Sequence, residues 1–260
     1  MIRTIVINLD RDTERMAYMD AQLRALGIPY ERQRALRGEE IIGTDEYHED
    51  LARAAGHNLL PGELGCAASH KRIYERILRE ELPYALILED DVELPYNFKE
   101  IIQQQVAATH PAWEYLLFDY WQPGIPFIRR WLSSSHKGYE DIPKQYLFRK
   151  LWFAVYFLLK AGYIIPMSLF EGLRNFLRKR RPGPVVFYRP LYLAGAYLVS
   201  NEGARKLLSL STPIVYTADK LPNQARIKKG LRFFAFAPLC VRQRKEQFGS
   251  SILGMSGADL

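Results

Sequence analysis

The sequence predicts an α/β protein with one sheet covered by helices on both faces, and three observations support this. Short apolar runs alternate with stretches of helical spacing up to about residue 120 and again after residue 190. Several apolar runs are followed directly by polar residues, and ligands of α/β sheets bind at such strand ends. With 260 residues, 48% of them hydrophobic, the chain can bury one large core, so we expect a single domain spanning residues 1–260. Residues 121–190 are expected to form a basic, aromatic insertion or subdomain of it.

The first half of the chain shows the clearest alternation. A strand ending at Asn8 precedes a helix of regular apolar spacing that Gly27 ends, and Pro61 opens a second long helix. The inward positions predicted for this second helix are Leu64, Ala67, Ala68, Ile73 and Ile77. The predicted elements are a strand at 3–8, a helix at 13–26, a strand from 30, a helix at 63–80, a strand at 84–89, a helix at 97–108 and a strand at 115–118.

The same alternation returns after residue 190. An apolar run at 191–199 predicts a strand with small residues at its middle. Ser200 or Asn201 then caps a helix that continues to residue 210. Asp219 lies in a polar turn, and a late strand is predicted at 231–237.

The most informative motif is the acidic triplet Glu89-Asp90-Asp91, which follows the apolar strand at 84–89 directly. Three adjacent carboxylates repel each other unless a cation or strong donors neutralise them. Oxygen ligands suit Mg²⁺ and Mn²⁺, which bind through one or two carboxylates plus substrate phosphates. Because residues i and i+2 of an extended segment point the same way, Glu89 and Asp91 are expected to share one cation while Asp90 faces elsewhere. The alternative is a solvated acidic turn.

The two cysteines, Cys66 and Cys240, lie far apart and indicate no disulfide framework, so a reducing cytoplasm is expected. Cys66 and His70 have the i, i+4 spacing of one helix face, but a zinc site needs three or four protein ligands. A buried free cysteine near a hydrogen-bonded histidine is therefore the preferred interpretation. The apolar run at the N-terminus is too short for a signal peptide and indicates a first strand.

The net charge of +7 is concentrated in residues 121–190. This segment has 13 Lys and Arg against 3 Asp and Glu, whereas the remainder carries a net charge of −3. Its aromatic and apolar residues lie beside clustered cations, which suits contact with an anionic membrane surface. A core helix with a solvated basic face is the alternative. We expect no nucleic-acid partner, because no such motif is present and the acidic triplet would repel phosphate unless loaded with metal.

Polar strand ends with an acidic triplet indicate a metal-bridged phosphate ligand. The run Asn8-Leu9-Asp10-Arg11-Asp12 superficially resembles the DxDxT signature of haloacid dehalogenase-like phosphatases. That chemistry needs a carboxylate nucleophile, and the neutral amide of Asn8 takes its place here. The second class of enzyme that uses a metal-bridged phosphate ligand of this kind transfers a sugar from a nucleotide diphosphate donor.

Four sequence blocks, in order, resemble glycosyltransferase family 25, the bacterial lipopolysaccharide or lipooligosaccharide galactosyltransferases related to collagen galactosyltransferase domains. The blocks are INLDRDTER at 7–15, PGELGCAASH at 61–70, LILEDDVE at 86–93 and AGAYLVSNEGARKLL at 194–208. The tail, with Gln243 and the residues at 250–252, is also similar. The resemblance implies a GT-A-like, Rossmann-like mixed sheet and inverting transfer from UDP-galactose or another UDP-hexose, with Mn²⁺ or Mg²⁺ bound. It also implies a lipopolysaccharide or lipooligosaccharide acceptor.

The resemblance also implies roles for individual residues. The metal ligands would be Glu89 and Asp91, and the acceptor would contact Gly195 and Tyr197. The donor would be held by Asn8, Leu9, Arg11, Arg15, Ser69, His70 and Asp90. For Arg15 the alternative is a surface arginine that pairs with Asp12.

Inversion requires a general base, and Asp219 is the first candidate, with Asp119 and Glu93 as competitors. The family motif continues from this aspartate with a large aromatic residue, but here Lys220 follows. This departure motivates an alternative in which the chain is a catalytically degenerate, membrane-associated binding subunit. Because a glycolipid acceptor is built on the cytoplasmic leaflet, we expect a cytoplasmic enzyme held peripherally on the inner membrane through residues 121–190. We expect this insertion to contact the membrane or the acceptor.

Overall fold

The fold is described from a computed structural model of the chain. The structure describes residues 2–107 except 55, 57 and 58, together with residues 112–120, 173, 182–187 and 190–244. The strands are β1 Arg3–Asn8, β2 Glu31–Arg34, β3 Tyr84–Glu89, β4 Val92–Glu93, β5 Tyr115–Leu117, β6 Gly183–Val185, β7 Ala196–Ser200, β8 Phe233–Ala237 and β9 Arg242–Gln243. The α-helices are α1 Thr13–Ala25, α2 Glu49–Ala54, α3 Pro61–Arg79, α4 Phe98–Val106, α5 Asn201–Leu208 and α6 Leu221–Lys229.

Seven strands form one mixed sheet in the order β2-β1-β3-β7-β5-β8-β6. Strands β2, β1, β3, β5 and β8 share one direction, and β7 and β6 run against them. The start of β7 therefore lies at the sheet edge where β1, β3 and β5 end. A separate ribbon pairs β4 with β9 and brings Gln243 close to the end of β3.

Helices cover both faces of this sheet, as the sequence predicted. Alternate residues of β1 point to opposite faces, so that Ile5 and Ile7 join one apolar cluster and Val6 joins another. The first cluster contains side chains of α3, α5 and α6, and the second contains side chains of α1 and α4. The five inward positions predicted for α3 are all buried. The α/β class with a mixed sheet is thus confirmed.

The predicted strand at 191–199 is correct only in its second half, because β7 begins at Ala196. Leu193 has φ 81°, a left-handed backbone conformation that ends an extended run. The backbone N–H groups of Gly195 and Ala196 then point to the carboxylate of Asp119, at 2.9 and 2.8 Å. The cap is as predicted, since the Ser200 hydroxyl accepts a hydrogen bond from the Gly203 N–H at 3.0 Å.

Most of the basic segment at 121–190 lies outside the described residues, as do the tail residues at 250–252. The part of the segment that is described includes β6, which pairs antiparallel with β8 at the edge of the main sheet. Within the described ranges, none of the helices is both long enough and apolar enough to traverse a bilayer.

Candidate functional site

A cavity of about 500 Å³ opens at the edge of the sheet where β1 and β3 end. Its volume is within the usual range for small-molecule sites. Nine of the fourteen predicted site residues line it, including Leu9 and Arg11 from the loop that follows β1. Among the described residues, the five that do not line it are His70, Glu93, Asp119, Gly195 and Tyr197. The cavity is the candidate site.

The acidic triplet lies in this cavity together with Arg15 and Asn8. Arg15 is one helical turn before Met19 on the buried face of α1, and its guanidinium lies 3.1 Å from Asp90 and 3.7 Å from Asp91. The Asn8 amide donates to the other oxygen of Asp90 at 2.7 Å. Burial raises the pKa of Asp90, and the bonds from Asn8 and Arg15 oppose that rise. Arg15 is buried, so it is not the surface arginine of the alternative interpretation.

The expected alternation within the triplet does not hold. Strand β3 ends at Glu89, and Asp90 and Asp91 belong to a turn before β4. A period of two applies only to extended backbone, so Asp90 does not turn away from the other two carboxylates. All three line the cavity, and Arg15 lies beside both Asp90 and Asp91.

The Glu89 carboxylate is held by three residues from two distant segments, α3 and β9. Its Oε1 lies 3.3 Å from His70 Nε2 and 3.7 Å from the sulfur of Cys66, both on α3. Its Oε2 accepts a hydrogen bond from the Gln243 amide at 3.1 Å. Burial, followed by the negative charges of Glu89 and Asp219, raises the pKa of the Cys66 thiol well above its ordinary value. The thiol is therefore protonated in the metal-free protein.

Asp219 approaches the cavity from the turn that precedes α6. The Thr217 hydroxyl donates to its Oδ1 at 2.5 Å, and the Asn223 amide donates to its backbone carbonyl at 3.1 Å. These two bonds fix the turn and aim the carboxylate. The negative charge of Asp219 also contributes to the raised pKa of the Cys66 thiol.

The loop after β2 forms another wall of the cavity, because it packs closely against the start of α3. The Ser69 hydroxyl donates to Gly65 carbonyl at 2.7 Å and accepts from the Leu36 N–H at 2.8 Å. A side chain at Gly38 would lie 2.0 Å from the carbonyl oxygen of Pro61, so glycine is required there. Ser69, a predicted donor contact, therefore also joins this loop to the helix.

Asp119 does not line the cavity and is almost fully buried, with an exposed fraction of 1%. Both of its oxygens accept backbone N–H groups, from Gly195 and Ala196. Burial raises its pKa well above the ordinary value, against the effect of these two hydrogen bonds. A Cβ at Gly195 would lie 2.6 Å from Asp119 Oδ2, so this glycine makes room for the carboxylate. The placement indicates structural roles for Asp119 and Gly195.

Two further predicted residues also lie away from the cavity. Tyr197 is fully buried and stacks on Tyr115 at 4.5 Å between ring centroids, while its hydroxyl lies 2.6 Å from His70 Nδ1. Glu93 is about half exposed and pairs with Arg244 at 3.2 Å. Neither residue lines the cavity.

The charges that line the cavity bear on cation binding. Seven carboxylates and three arginines line it, so an anionic ligand meets a net negative wall. The oxygens of Glu89 and Asp91 are hard ligands of the kind that Mn²⁺ and Mg²⁺ prefer. A divalent cation bound to them would offset this charge, so the donor set fits the metal that the resemblance implies. Arg11 and Arg37 also line the cavity; both guanidiniums are largely exposed and pair with Asp12 at 3.7 Å and with Glu39 at 3.3 Å.

The sequence did not identify Gln243, Thr217 and Arg37 as site residues. Gln243 lies 154 positions after Glu89, and it reaches the site only because β9 pairs with β4. The tail resemblance included Gln243, but no local pattern linked it to Glu89. Thr217 lies two residues before Asp219 in the same polar turn, and this short spacing was the signal that could have identified it as a partner of the carboxylate.

Comparison with known proteins gives a consistent result. Residues 1–222 match the family described as Glycosyltransferase family 25 (LPS biosynthesis protein). The chain is similar to a Glycosyltransferase 25 family member of Anopheles gambiae, 26% identical over 184 residues, which cover 67% of this chain and 28% of that protein. It is also similar to a Putative glycosyltransferase of Haemophilus influenzae, 31% identical over 99 residues, covering 38% of this chain and 35% of that protein.

Some relatives are named as inactive. The Inactive glycosyltransferase 25 family member 3 of Mus musculus is 29% identical over 119 residues, which cover 42% of this chain and 20% of that protein. The chain thus spans only about a fifth to a third of the length of the relatives it matches.

Proposed function

Since this chain belongs to glycosyltransferase family 25, we propose that it transfers a hexose, galactose in particular, from a UDP-sugar to a lipopolysaccharide or lipooligosaccharide acceptor. The observation that carries the proposal is the meeting of the acidic triplet, Asn8 and Asp219 in one cavity at the strand ends. The family description, which names LPS biosynthesis, supports the acceptor class. The UDP-galactose donor follows from the resemblance of the sequence blocks.

In this proposal the donor diphosphate lies against the triplet, with Glu89 and Asp91 as ligands of Mn²⁺ or Mg²⁺. When bound, the cation neutralises the charge that develops on the leaving UDP. Arg15 Nη1 lies 3.1 Å from Asp90 and 3.7 Å from Asp91, so it holds these two carboxylates in place before a ligand binds. Arg11 and Arg37 at the rim would donate to phosphate oxygens.

Asp219 is the proposed general base of an inverting reaction. It lines the cavity, whereas Asp119 and Glu93 do not. Inversion requires the acceptor hydroxyl to attack the anomeric carbon from the face opposite UDP, while a carboxylate takes its proton. The hydrogen bond from Thr217 to Oδ1 orients the Asp219 carboxylate for this task.

A second candidate function is a catalytically degenerate binding subunit. It is favoured by Lys220, which replaces the aromatic residue expected after the aspartate, and by the relatives named inactive. Such a subunit would bind UDP-sugar but would not release UDP from it.

The deciding experiment measures UDP release from a set of UDP-hexoses, with and without Mn²⁺. We expect Mn²⁺-dependent release that is fastest with UDP-galactose and that falls by about 10²- to 10³-fold in Asp91→Asn. Glu93→Gln is the matched control and should retain the wild-type rate, because Glu93 does not line the cavity. UDP-sugar binding without release by the wild-type protein supports the degenerate subunit. If Mn²⁺ does not increase the affinity for UDP, the metal-dependent proposal fails.

We further propose that residues 121–190 hold the enzyme on the cytoplasmic face of the inner membrane, near its glycolipid acceptor. The support is the concentration of net charge +10 and of aromatic residues in this segment. Each cation near an anionic surface contributes about 1 kcal/mol, so several together would retain a peripheral protein.

A further inference from the structure

Three side chains of different ligand type meet where α3 passes the end of β3. Cys66 and His70 lie one turn apart on α3, and both face Glu89. One ligand atom from each residue lies within 4.8 Å of the other two. The two measured contacts within this cluster are 3.3 Å from His70 Nε2 to Glu89 Oε1 and 3.7 Å from Cys66 sulfur to the same oxygen.

We propose that Cys66, His70 and Glu89 form a three-ligand site for Zn²⁺ or a similar borderline metal ion. A tetrahedral zinc ion binds nitrogen and oxygen at about 2.0–2.1 Å and sulfur at about 2.3 Å. Those bond lengths separate nitrogen from oxygen by about 3.4 Å and sulfur from oxygen by about 3.6 Å. The two observed contacts are close to these values. The Cys66 sulfur and the His70 nitrogen lie within 4.8 Å of each other, against about 3.6 Å across a zinc ion, so side-chain movements of up to about 1 Å would complete the site.

Neighbouring residues orient His70 and Glu89 by hydrogen bonds, as residues around the ligands of metal sites usually do. The Tyr197 hydroxyl donates to Tyr74 at 3.4 Å and lies 2.6 Å from His70 Nδ1. With an ion bound at Nε2, the proton of His70 lies on Nδ1, and the Tyr197 hydroxyl at 2.6 Å accepts it. The Gln243 amide fixes the other oxygen of Glu89 at 3.1 Å.

The ligand set selects a different ion from the one proposed for the acidic triplet. Thiolate and imidazole ligands favour zinc, whereas carboxylates alone suit Mg²⁺ and Mn²⁺. Glu89 can serve both ions, because Oε1 faces Cys66 and His70 while Oε2 faces Gln243. Cys66 and Glu89 line the cavity, so the fourth position of the zinc site is open to water or to a ligand oxygen. This inference does not depend on the transferase proposal.

The test is titration of the metal-free full chain with Co²⁺, without nucleotide. We expect one equivalent to produce the visible bands of four-coordinate Co²⁺ and a near-ultraviolet band from thiolate coordination. Cys66→Ser should abolish the thiolate band. Cys240→Ser is the matched control and should retain it, because Cys240 lies outside the cluster. Tyr197→Phe should weaken Co²⁺ binding by about 10- to 100-fold, since it removes the partner that holds His70.

The proposal is overturned if the wild-type protein shows no thiolate band or if the band persists in Cys66→Ser. Cys66, His70 and Glu89 would then form only a hydrogen-bonded cluster. Circular dichroism checks that Cys66→Ser folds. If it does not, Glu89→Gln decides, because it keeps the thiol and should still lower Zn²⁺ affinity in competition with a chromophoric chelator. Mn²⁺-dependent UDP binding, measured on the same preparations, shows separately whether the transferase proposal holds.

Discussion

Asp119 and Asp219 are both aspartates near the sheet edge, but their surroundings give them different chemistry. Asp119 is enclosed, and its two oxygens are taken by backbone N–H groups. Asp219 lines the cavity and is oriented by a hydroxyl. At the scale of single residues, access to the cavity therefore separates a structural carboxylate from a candidate base.

The first prediction at this scale concerns Asp219→Asn. The amide cannot take a proton from an acceptor hydroxyl, so we expect kcat for transfer to fall by about 10²- to 10⁴-fold. The dissociation constant for UDP should stay near the wild-type value, because Asp219 is not among the proposed metal ligands. Steady-state kinetics and calorimetry measure the two quantities. An unchanged kcat would remove Asp219 as the base.

The second prediction concerns Asp119→Asn. The amide nitrogen cannot accept the second backbone N–H, so we expect a loss of about 1–3 kcal/mol in the free energy of unfolding. Glu93→Gln should change it by less than about 0.5 kcal/mol, because Glu93 is half exposed and pairs only at the surface. Urea denaturation measures both variants.

The raised pKa of Asp119 also predicts how the difference in unfolding free energy between wild type and Asp119→Asn depends on pH. The folded state holds this proton more tightly than the unfolded chain does. The contribution of protonated Asp119 is thus fully present below the ordinary pKa and is lost as pH rises through the folded pKa. The difference in unfolding free energy between wild type and Asp119→Asn should therefore narrow as pH rises above about 4, the ordinary pKa of an aspartate, and through the raised folded-state pKa. A gap independent of pH contradicts this.

At the scale of elements, α3 connects the cavity to the rest of the fold. Its buried face carries Cys66 and His70 towards β3, and Ser69 bonds the loop after β2. The close approach of that loop requires Gly38 and Gly65, whose side-chain positions are filled by backbone atoms. The loop, the helix and the strand end are therefore coupled as walls of one cavity.

Ser69→Ala tests this coupling. It leaves the Leu36 N–H without the serine oxygen, so we expect a loss of about 1–3 kcal/mol in the free energy of unfolding. Ser209→Ala is the control, since that hydroxyl bonds an exposed carbonyl at the end of α5 and should change stability by less than about 0.5 kcal/mol. Urea denaturation gives the stabilities. Equal stability of the two variants would mean that Ser69 does not join the loop to the helix.

At the scale of the whole molecule, the sheet order brings together strand ends that are far apart in sequence. Because β7 runs against its neighbours, its start meets the ends of β3 and β5, and the two backbone N–H groups there bind Asp119. The charge is also divided: residues 121–190 carry +10, and the remainder carries −3.

This division of charge leads to the membrane prediction. We expect the protein to sediment with anionic liposomes at low salt and to be released at high salt, because surface electrostatic attraction is screened. Replacing the cations at 178–181 with glutamine should abolish sedimentation. The control removes as many exposed charges from the described part of the chain, at Arg24, Arg53, Arg79 and Arg205, and should still sediment. Equal loss in both variants would contradict a specific basic segment.

The sequence by itself determined the α/β class, most element positions, an N-terminal cap at Ser200 or Asn201, and the acidic triplet. These follow from local periodicity, capping chemistry and adjacent charges, which are readable over a few residues. Only the tertiary structure decided that Asp119 and Tyr197 are enclosed, that Arg15 lies beside the triplet, and that Gln243 and Cys66 contact Glu89. The reason is that burial and long-range contacts depend on strand order and packing, which residue spacing does not specify.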